Sequence, residues 1–456
     1  MGNARTRPNC RSRAPSAAVM IASLAAVLMA GCSGDSLPSM PKIGDLNPFA
    51  EKQKPLPGNR IAVIQGTEKI PGELANADKP IVLPPPRAND GWSQPGGQAN
   101  NAPGNLVLAN VVRQTWSADA GSGSSSSGKL TASPIVYDGR VYTLDAAARV
   151  SAFAATGGSA VWRADVTPDK EKSEKGYGGG IAADNGRIYA ATGFGTVVAL
   201  DAVSGKKLWE KPLGVPIRTS PTAAADRVFV STTEGRFVCL NGTDGTEVWS
   251  FRGLPEKTSL ISNPSPAVDG DIVVVPYPSG DIVALRVSNG QQVWQESLAR
   301  TRSASAIASM SDAARPAMDS GIVYAVGHGG RMIATQQKTG ERLWSINVPG
   351  TQTPMVAGES VFVVDTTGQL LAITRREGKI QWTAKLPGAS TWSGPTLAGG
   401  LLWVASNKGQ LVAVEATTGK VVSTQELGAP VYIAPVVAQG RMFILTDKAK
   451  LIALGG

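Results

Sequence analysis

Apolar residues alternate with polar or small residues through short segments that glycine-containing turns separate, which is typical of β-strands. The stretch from 180 to 212 shows the pattern clearly. Hairpin turns are expected at Asn185-Gly186, at Gly195 and at Ser204-Gly205. The four strands that these turns predict are residues 180–183, residues 187–192, residues 196–200 and the segment that carries Trp209.

Alternation with a period of two places Val197 and Ala199 on one face of their strand and Val198 and Leu200 on the other. Both faces are therefore apolar, so the sheet must be covered on both sides. Four-stranded sheets packed radially around an axis bury both faces and leave only short edges. The pattern predicts an all-β protein built as a β-propeller of four-stranded antiparallel blades.

The pattern repeats along the chain at a regular interval. A small residue precedes a tryptophan by ten positions in six copies: Ala152 to Trp162, Ala199 to Trp209, Cys239 to Trp249, Ala284 to Trp294, Ala334 to Trp344 and Ala372 to Trp382. A seventh copy starts at Ala413 and has Ser423 in place of the tryptophan. An eighth starts near Ala453, and the chain ends at Gly456 before its tryptophan position.

Trp116 has the flanking residues of a repeat tryptophan but no glycine turn before it. We therefore expect the N-terminal strand to complete the last repeat and to close a ring. Residues 105–456 divide into eight units of about 44 residues, within the range of propeller blades. The sequence predicts an eight-bladed propeller.

The small residue of each repeat suggests close packing of neighbouring blades near the narrow axis, where a longer side chain would overpack. Cys239 occupies that position once, so we interpret it as a buried apolar residue rather than a reactive thiol. The seven tryptophans share one position in the repeat, which favours packing between blades over a ligand-binding cage.

Composition narrows the possible chemistry. The 456 residues include 52 glycines and 31 prolines, in keeping with frequent turns, but one histidine, His328, and three cysteines. These counts exclude a zinc site with several His and Cys ligands, a mechanism that needs two histidines, and a disulfide scaffold. His328 precedes Gly329-Gly330 and is interpreted as a turn residue.

Residues 1–31 have the features of an export signal: four arginines, an apolar run too short to span a bilayer, and small residues before Cys32. Leu28-Met29-Ala30-Gly31-Cys32 resembles a lipobox, which implies lipid attachment at Cys32. Ser33 follows where an aspartate retains many lipoproteins in the inner membrane, so the outer membrane is expected.

Residues 32–104 are rich in proline and glycine, and are expected to form a tether between the lipid and the propeller at 105–456. The tether has two apolar patches, at 61–64 and 81–83, either of which could add a strand to a sheet edge. Loss of the signal removes four arginines and no acids, so the formal charge falls from +9 to +5. Lysine and arginine form no clustered stripe, which argues against nucleic acid as a partner.

The pattern Ala-x-Asp-x-x-Thr/Ser-Gly-x-x-x-Trp resembles the repeat of pyrroloquinoline quinone enzymes. With a lipobox and a tether, the eight repeats resemble the BamB family of lipoproteins in the outer-membrane β-barrel assembly machinery. The resemblance implies a scaffold on the periplasmic face of the outer membrane, with no catalysis and no cofactor or metal. It also implies binding to the periplasmic domains of the central barrel subunit, and leaves open whether nascent outer-membrane proteins bind directly.

Two other functions share this fold. Quinone-dependent dehydrogenases resemble the chain blade for blade, but the resemblance implies an adjacent cysteine pair and a calcium site, and the chain has no Cys-Cys sequence. A propeller that binds carbohydrate or another envelope polymer is the third possibility, because a fold does not define a function.

Three long connections between predicted blades, 164–178, 250–263 and 296–316, lie on one face of the propeller. The last two are neighbours and should lie side by side. In the BamB family, by resemblance, such a pair grips the barrel subunit through apolar and arginine positions in the first and two aspartates in the second. Asp312 matches the first aspartate, Ala313 and Ala314 follow it, and Leu260 and Ile261 are the apolar candidates.

Overall fold

The computed structural model describes residues 80–126, 128–169, 171–173, 176, 178–253, 264–298 and 313–456. All of them belong to one compact unit, Thr67–Gly456, whereas the other unit, Met1–Gly66, lies outside the described residues. The signal, Cys32 and the apolar patch at 61–64 are therefore outside them too. Within the described ranges, no helix has the length and apolar character that crossing a membrane requires.

The described residues form eight four-stranded antiparallel sheets, which we call blades 1–8 in chain order. Blades 1 and 2 contain β2 (Ile135–Tyr137), β3 (Arg140–Leu144), β4 (Arg149–Ala154), β5 (Ala160–Asp165), β6 (Gly179–Asp184), β7 (Arg187–Thr192), β8 (Thr196–Asp201) and β9 (Lys207–Pro212). Blades 3 and 4 contain β10 (Thr222–Ala224), β11 (Arg227–Ser231), β12 (Arg236–Asn241), β13 (Glu247–Arg252), β14 (Ala267–Asp269), β15 (Ile272–Pro276), β16 (Asp281–Arg286) and β17 (Gln292–Ser297).

The remaining blades continue the same order. Blades 5 and 6 contain β18 (Ala317–Asp319), β19 (Ile322–Val326), β20 (Met332–Gln336), β21 (Arg342–Ile346), β22 (Met355–Ala357), β23 (Ser360–Val364), β24 (Gln369–Thr374) and β25 (Ile380–Lys385). Blade 7 contains β26 (Trp392–Ala398), β27 (Leu401–Ser406), β28 (Gln410–Glu415) and β29 (Val421–Glu426). Blade 8 contains β30 (Val436–Ala438), β31 (Arg441–Leu445), β32 (Lys450–Gly455) and β1 (Arg113–Asp119).

The blades surround a central axis. The first strands of successive blades approach one another from β2 round to β30, whereas the fourth strands have mostly exposed residues, as in β9 and β29. First strands therefore line the axis and fourth strands form the perimeter. The predicted eight-bladed β-propeller is confirmed.

The ring closes through β1. This strand pairs antiparallel with β32, and Trp116 lies opposite Ala453 in the register. The N-terminal strand thus supplies the fourth strand that the last repeat lacks, as the truncated eighth repeat predicts.

Both faces of each blade are buried, as the alternation predicts. Val197 and Ala199 pack in the cluster between blades 2 and 3, and Val198 and Leu200 pack in the cluster between blades 1 and 2. Each blade thus contributes to two cores, which explains why the third strands are apolar on both sides.

The two ends of the ring differ in the loops they carry. Hairpins between first and second strands and between third and fourth strands lie on one end, which we call the strap face for the segment described below. Hairpins between second and third strands, and the connections from one blade to the next, lie on the opposite end, which we call the connection face.

Candidate functional site

The repeat tryptophans join neighbouring blades, as predicted. Each indole Nε1–H donates to a backbone carbonyl in the hairpin between the third and fourth strands of the next blade, at 2.7–3.2 Å. The tryptophans involved are Trp116, Trp162, Trp209, Trp249, Trp294, Trp344 and Trp382. Because an indole has one donor and no acceptor, each carbonyl satisfies its tryptophan completely.

The small residue of the repeat has a different role from the one expected. It lies on the third strand, away from the axis, directly opposite the tryptophan of its own blade, as in the row Tyr189–Ala199–Trp209. An aromatic ring on the second strand flanks it on the other side, and the two rings lie 5.7–6.2 Å apart in six blades. In these six blades the residue is small because two rings meet across it, rather than because the blades converge at the axis.

The second-strand aromatic was not identified from the sequence, although its signal is present. It precedes the small residue by ten positions, as Tyr142 precedes Ala152 and Phe362 precedes Ala372. The same ten-residue interval therefore separates the second-strand aromatic from the small residue and the small residue from the tryptophan.

Cys239 is fully buried in the cluster between blades 3 and 4, opposite Trp249. Burial raises the pKa of its thiol to about 11, from an ordinary value of 9.0. The side chain is therefore a neutral thiol at neutral pH, in agreement with its interpretation as a small apolar residue.

Residues 80–108, which we call the strap, pack across the axis at the strap face. Ile81 is buried and Leu83 is partly buried in the cluster between blades 6 and 7, whereas Val82 is exposed. The apolar patch at 81–83 thus docks on the ring without forming a strand of any blade. This packed segment includes residues 80–104 of the stretch expected to form a tether.

The strap makes one circuit of the ring. It meets blade 6 near Val82, blade 8 at Asn89, blade 1 at Trp92, blades 2 and 3 at Gln94, blades 4 and 5 at 99–101, and blade 7 at Leu106. Where the circuit ends, Arg87 and Leu106 form a parallel bridge, with Arg87 N–H donating to Asn105 O at 3.0 Å.

A cavity of about 420 Å³ lies on the axis beside the strap. Trp92, Pro95 and Asn101 of the strap line it, together with connection residues of blades 1, 4, 5, 6, 7 and 8. Arg315 also lines it and donates from Nη1 to Pro95 O at 3.4 Å. Desolvation lowers the pKa of this guanidinium to about 10, so it stays charged at neutral pH.

Leu260, Ile261 and Asp312 lie outside the described residues. The described ends of their two connections both reach Tyr277 of blade 4. A β-carbon on Gly253 would stand 2.5 Å from the Tyr277 ring, and Ala313 N–H donates to Tyr277 O at 3.4 Å. The two connections are therefore neighbours at these ends.

Ala313 and Ala314 are buried, with Ala314 N–H donating to Val326 O at 2.9 Å. A carboxylate at either position would be desolvated, which disfavours its charged form, whereas alanine fits a buried position. His328 is exposed in a turn, as predicted. No three His, Cys, Asp or Glu side chains of the described residues come together as a metal site.

The geometry agrees with a known family. The sequence model described as outer membrane protein assembly factor BamB matches residues 146–384 and 382–455. The chain belongs to this family. Among curated relatives, a protein of Rickettsia prowazekii is 29% identical over 241 residues, which cover 52% of this chain and 58% of the relative. The BamB of Shewanella oneidensis is 25% identical over 260 residues, or 55% of this chain and 65% of the relative.

Solved structures share the fold. The crystal structure of BamB from Moraxella catarrhalis has a TM-score of 0.65 at 19% identity, and the match covers 76% of this chain and all of that one. The quinohemoprotein alcohol dehydrogenase of Comamonas testosteroni reaches 0.64 at 14% identity, over 80% of this chain and 81% of that one. The matches to the two curated relatives span less than two thirds of either relative's length.

Proposed function

We propose that this protein is a lipid-anchored scaffold of the outer-membrane β-barrel assembly machinery, on the periplasmic face of the outer membrane. The family match over residues 146–384 and 382–455 carries the proposal, because the family is described as an outer membrane protein assembly factor. In this proposal Cys32 carries the lipid, and the propeller binds its partner without a catalytic step, a cofactor or a metal.

The proposed partner is the periplasmic part of the central barrel subunit, and the proposed contact is the pair of connections at 250–263 and 296–316. The described ends of both connections meet at Tyr277, so residues of the two can form one surface. Asp312 supplies a charge to that surface and Leu260 and Ile261 supply apolar area.

A charge reversal tests the proposed contact. Asp312→Arg should reduce recovery of the barrel subunit from detergent-solubilised envelopes by about tenfold or more, which corresponds to at least about 1.4 kcal/mol. Glu341→Arg is the matched control, because Glu341 is exposed in a hairpin on the strap face and the charge change is the same. Both variants should keep the stability of the ring within about 0.5 kcal/mol.

Equal recovery by Asp312→Arg and by the unchanged protein would remove Asp312 from the contact. Recovery of the unchanged protein without any barrel-assembly subunit would contradict the scaffold itself. Mass spectrometry of the same sample distinguishes the dehydrogenase alternative, for which a bound quinone together with calcium is the expected finding.

A further inference from the structure

The first strands of the blades present unpaired backbone groups to the axis. Each of these strands pairs with a second strand on one side only, so its other edge faces the channel. Backbone N–H and C=O groups that are buried without partners cost free energy, and an open strand edge accepts any extended segment that can pair with it. The axis therefore offers open strand edges with which an extended segment can pair.

The strap pairs with these edges by main-chain hydrogen bonds. Trp92 exchanges two bonds with Val136 of blade 1, at 2.7 and 2.9 Å. Further strap carbonyls accept bonds from the first strands or first hairpins of five other blades, at 2.7–2.8 Å. The donors are the N–H groups of Ala183, Val268, Met318, Gly399 and Gln439.

Amide side chains of the strap add to the pairing, and one of them is Asn105, whose Oδ1 accepts from Gly400 N–H at 3.3 Å. Buried Gln94 donates from Nε2 to Ala183 O at 2.9 Å and to Ala223 O at 2.8 Å, and its Oε1 accepts from Ala223 N–H at 2.9 Å. Asn101 donates to Pro316 O at 2.9 Å, and Asn89 donates to Val437 O at 2.8 Å. An amide side chain carries the same donor and acceptor as a peptide group, so it can bridge two edges that one backbone cannot reach together.

We propose that the axis of this propeller is a binding site for an extended peptide with spaced amide side chains, and that the strap is its ligand held in cis. The site does not depend on the proposed function, because its contacts lie within the chain.

The chain between the strap and β1 offers a place to test this proposal. Residues 109–111 are exposed, and the side chain of Val111 is 69% exposed. A protease recognition sequence inserted after Asn110 of the full chain would allow the strap to be cut from the folded ring. If the strap is a bound peptide, the two fragments should elute together in native buffer and separate in denaturant.

Substitution of an amide side chain of the strap is the second test of the proposal. After cleavage, the variant Gln94→Leu should release the N-terminal fragment at least about tenfold faster than the parent, because it removes three hydrogen bonds to blades 2 and 3. Gln98→Leu is the matched control, because it makes the same change in the same segment and the Gln98 side chain has no hydrogen bond to the residues that the structure describes. A labelled synthetic peptide of residues 80–108 should also replace the cut fragment.

Two results would overturn the proposal. One is separation of the parental fragments in native buffer, which needs no substitution and so stands even if Gln94→Leu fails to fold. The other is release from Gln94→Leu at the rate of Gln98→Leu, which would show that the Gln94 amide does not hold the strap.

Discussion

At the scale of single residues, contact between a tryptophan and a glycine joins adjacent blades. A β-carbon on the glycine of the receiving hairpin would stand 2.4–2.7 Å from the tryptophan of the preceding blade. The glycines are Gly158, Gly205, Gly245, Gly290, Gly340, Gly378 and Gly419. Each has a φ of 70–75°, a backbone conformation that favours glycine. Glycine is therefore required for two reasons: this positive φ, and the lack of room for a β-carbon beside the tryptophan.

Two alanine substitutions distinguish the effect of the positive φ from the effect of contact with the tryptophan. Gly245→Ala introduces a β-carbon 2.6 Å from Trp209, at a φ of 73°. Gly186→Ala introduces one at the same φ with no atom within 4 Å. We expect Gly186→Ala to lower the free energy of unfolding by about 1–2 kcal/mol through backbone strain, and Gly245→Ala to lower it by about 1–3 kcal/mol more. Equal losses in denaturant titrations would contradict this role of the Trp209 contact.

At the scale of elements, β29 differs from the other fourth strands because its tryptophan position holds Ser423. The next blade has no hairpin between its third and fourth strands, since β32 comes from the C-terminus and β1 from the N-terminus. A tryptophan on β29 would therefore lack the carbonyl and glycine that receive the other seven. The sequence departs from the repeat where the chain ends meet.

This explanation predicts an asymmetry between blades 6 and 7. Ser423→Trp should change the free energy of unfolding by no more than about 0.5 kcal/mol, because no hairpin receives the ring. Trp382→Ser, the reverse change one blade earlier, should cost about 3–5 kcal/mol, because it removes a large packed ring and its bond to Ala416 O. A stabilisation of more than about 1 kcal/mol by Ser423→Trp would show that blade 8 does receive a tryptophan.

At the scale of the whole molecule, the ring protects its interior because each blade is covered by two neighbours. Cys239 lies between blades 3 and 4, whereas the ring closes in blade 8. Reagents reach this thiol only when neighbouring blades separate. Its raised pKa, of about 11, also keeps the thiolate fraction low in the folded state.

Thiol labelling measures this protection. In a variant with Cys10→Ser and Cys32→Ser, we expect the folded protein at pH 8.5 to react at least about a hundredfold more slowly than the protein in denaturant. The folded pKa is raised, so the labelling rate should keep increasing with pH beyond 9, where an ordinary thiol levels off. Rapid labelling of the folded protein at pH 8.5 would contradict closed packing between blades 3 and 4.

The sequence by itself determined the number of blades, the order of strands, the seven inter-blade tryptophans and the closure by Trp116. These features follow from local rules, since alternation has a period of two and each repeat carries its own turns and its own interval of ten residues. The burial of Cys239 was predicted from the same interval, because Cys239 occupies the small-residue position. The partner contact at Leu260, Ile261 and Asp312 stays a prediction.

Only the tertiary structure decided the path of the strap, the pair of rings across the small residue in six blades, and the axial cavity. From the sequence, the proline-rich composition of residues 80–104 indicates a tether. The neighbouring residues in the sequence do not show which groups form hydrogen bonds with the side chains of Gln94 and Asn89. Asn89 donates to the carbonyl of Val437, 348 residues away on the first strand of blade 8. Contacts of this kind depend on where the folded blades place their edges, and no periodicity of the chain encodes them.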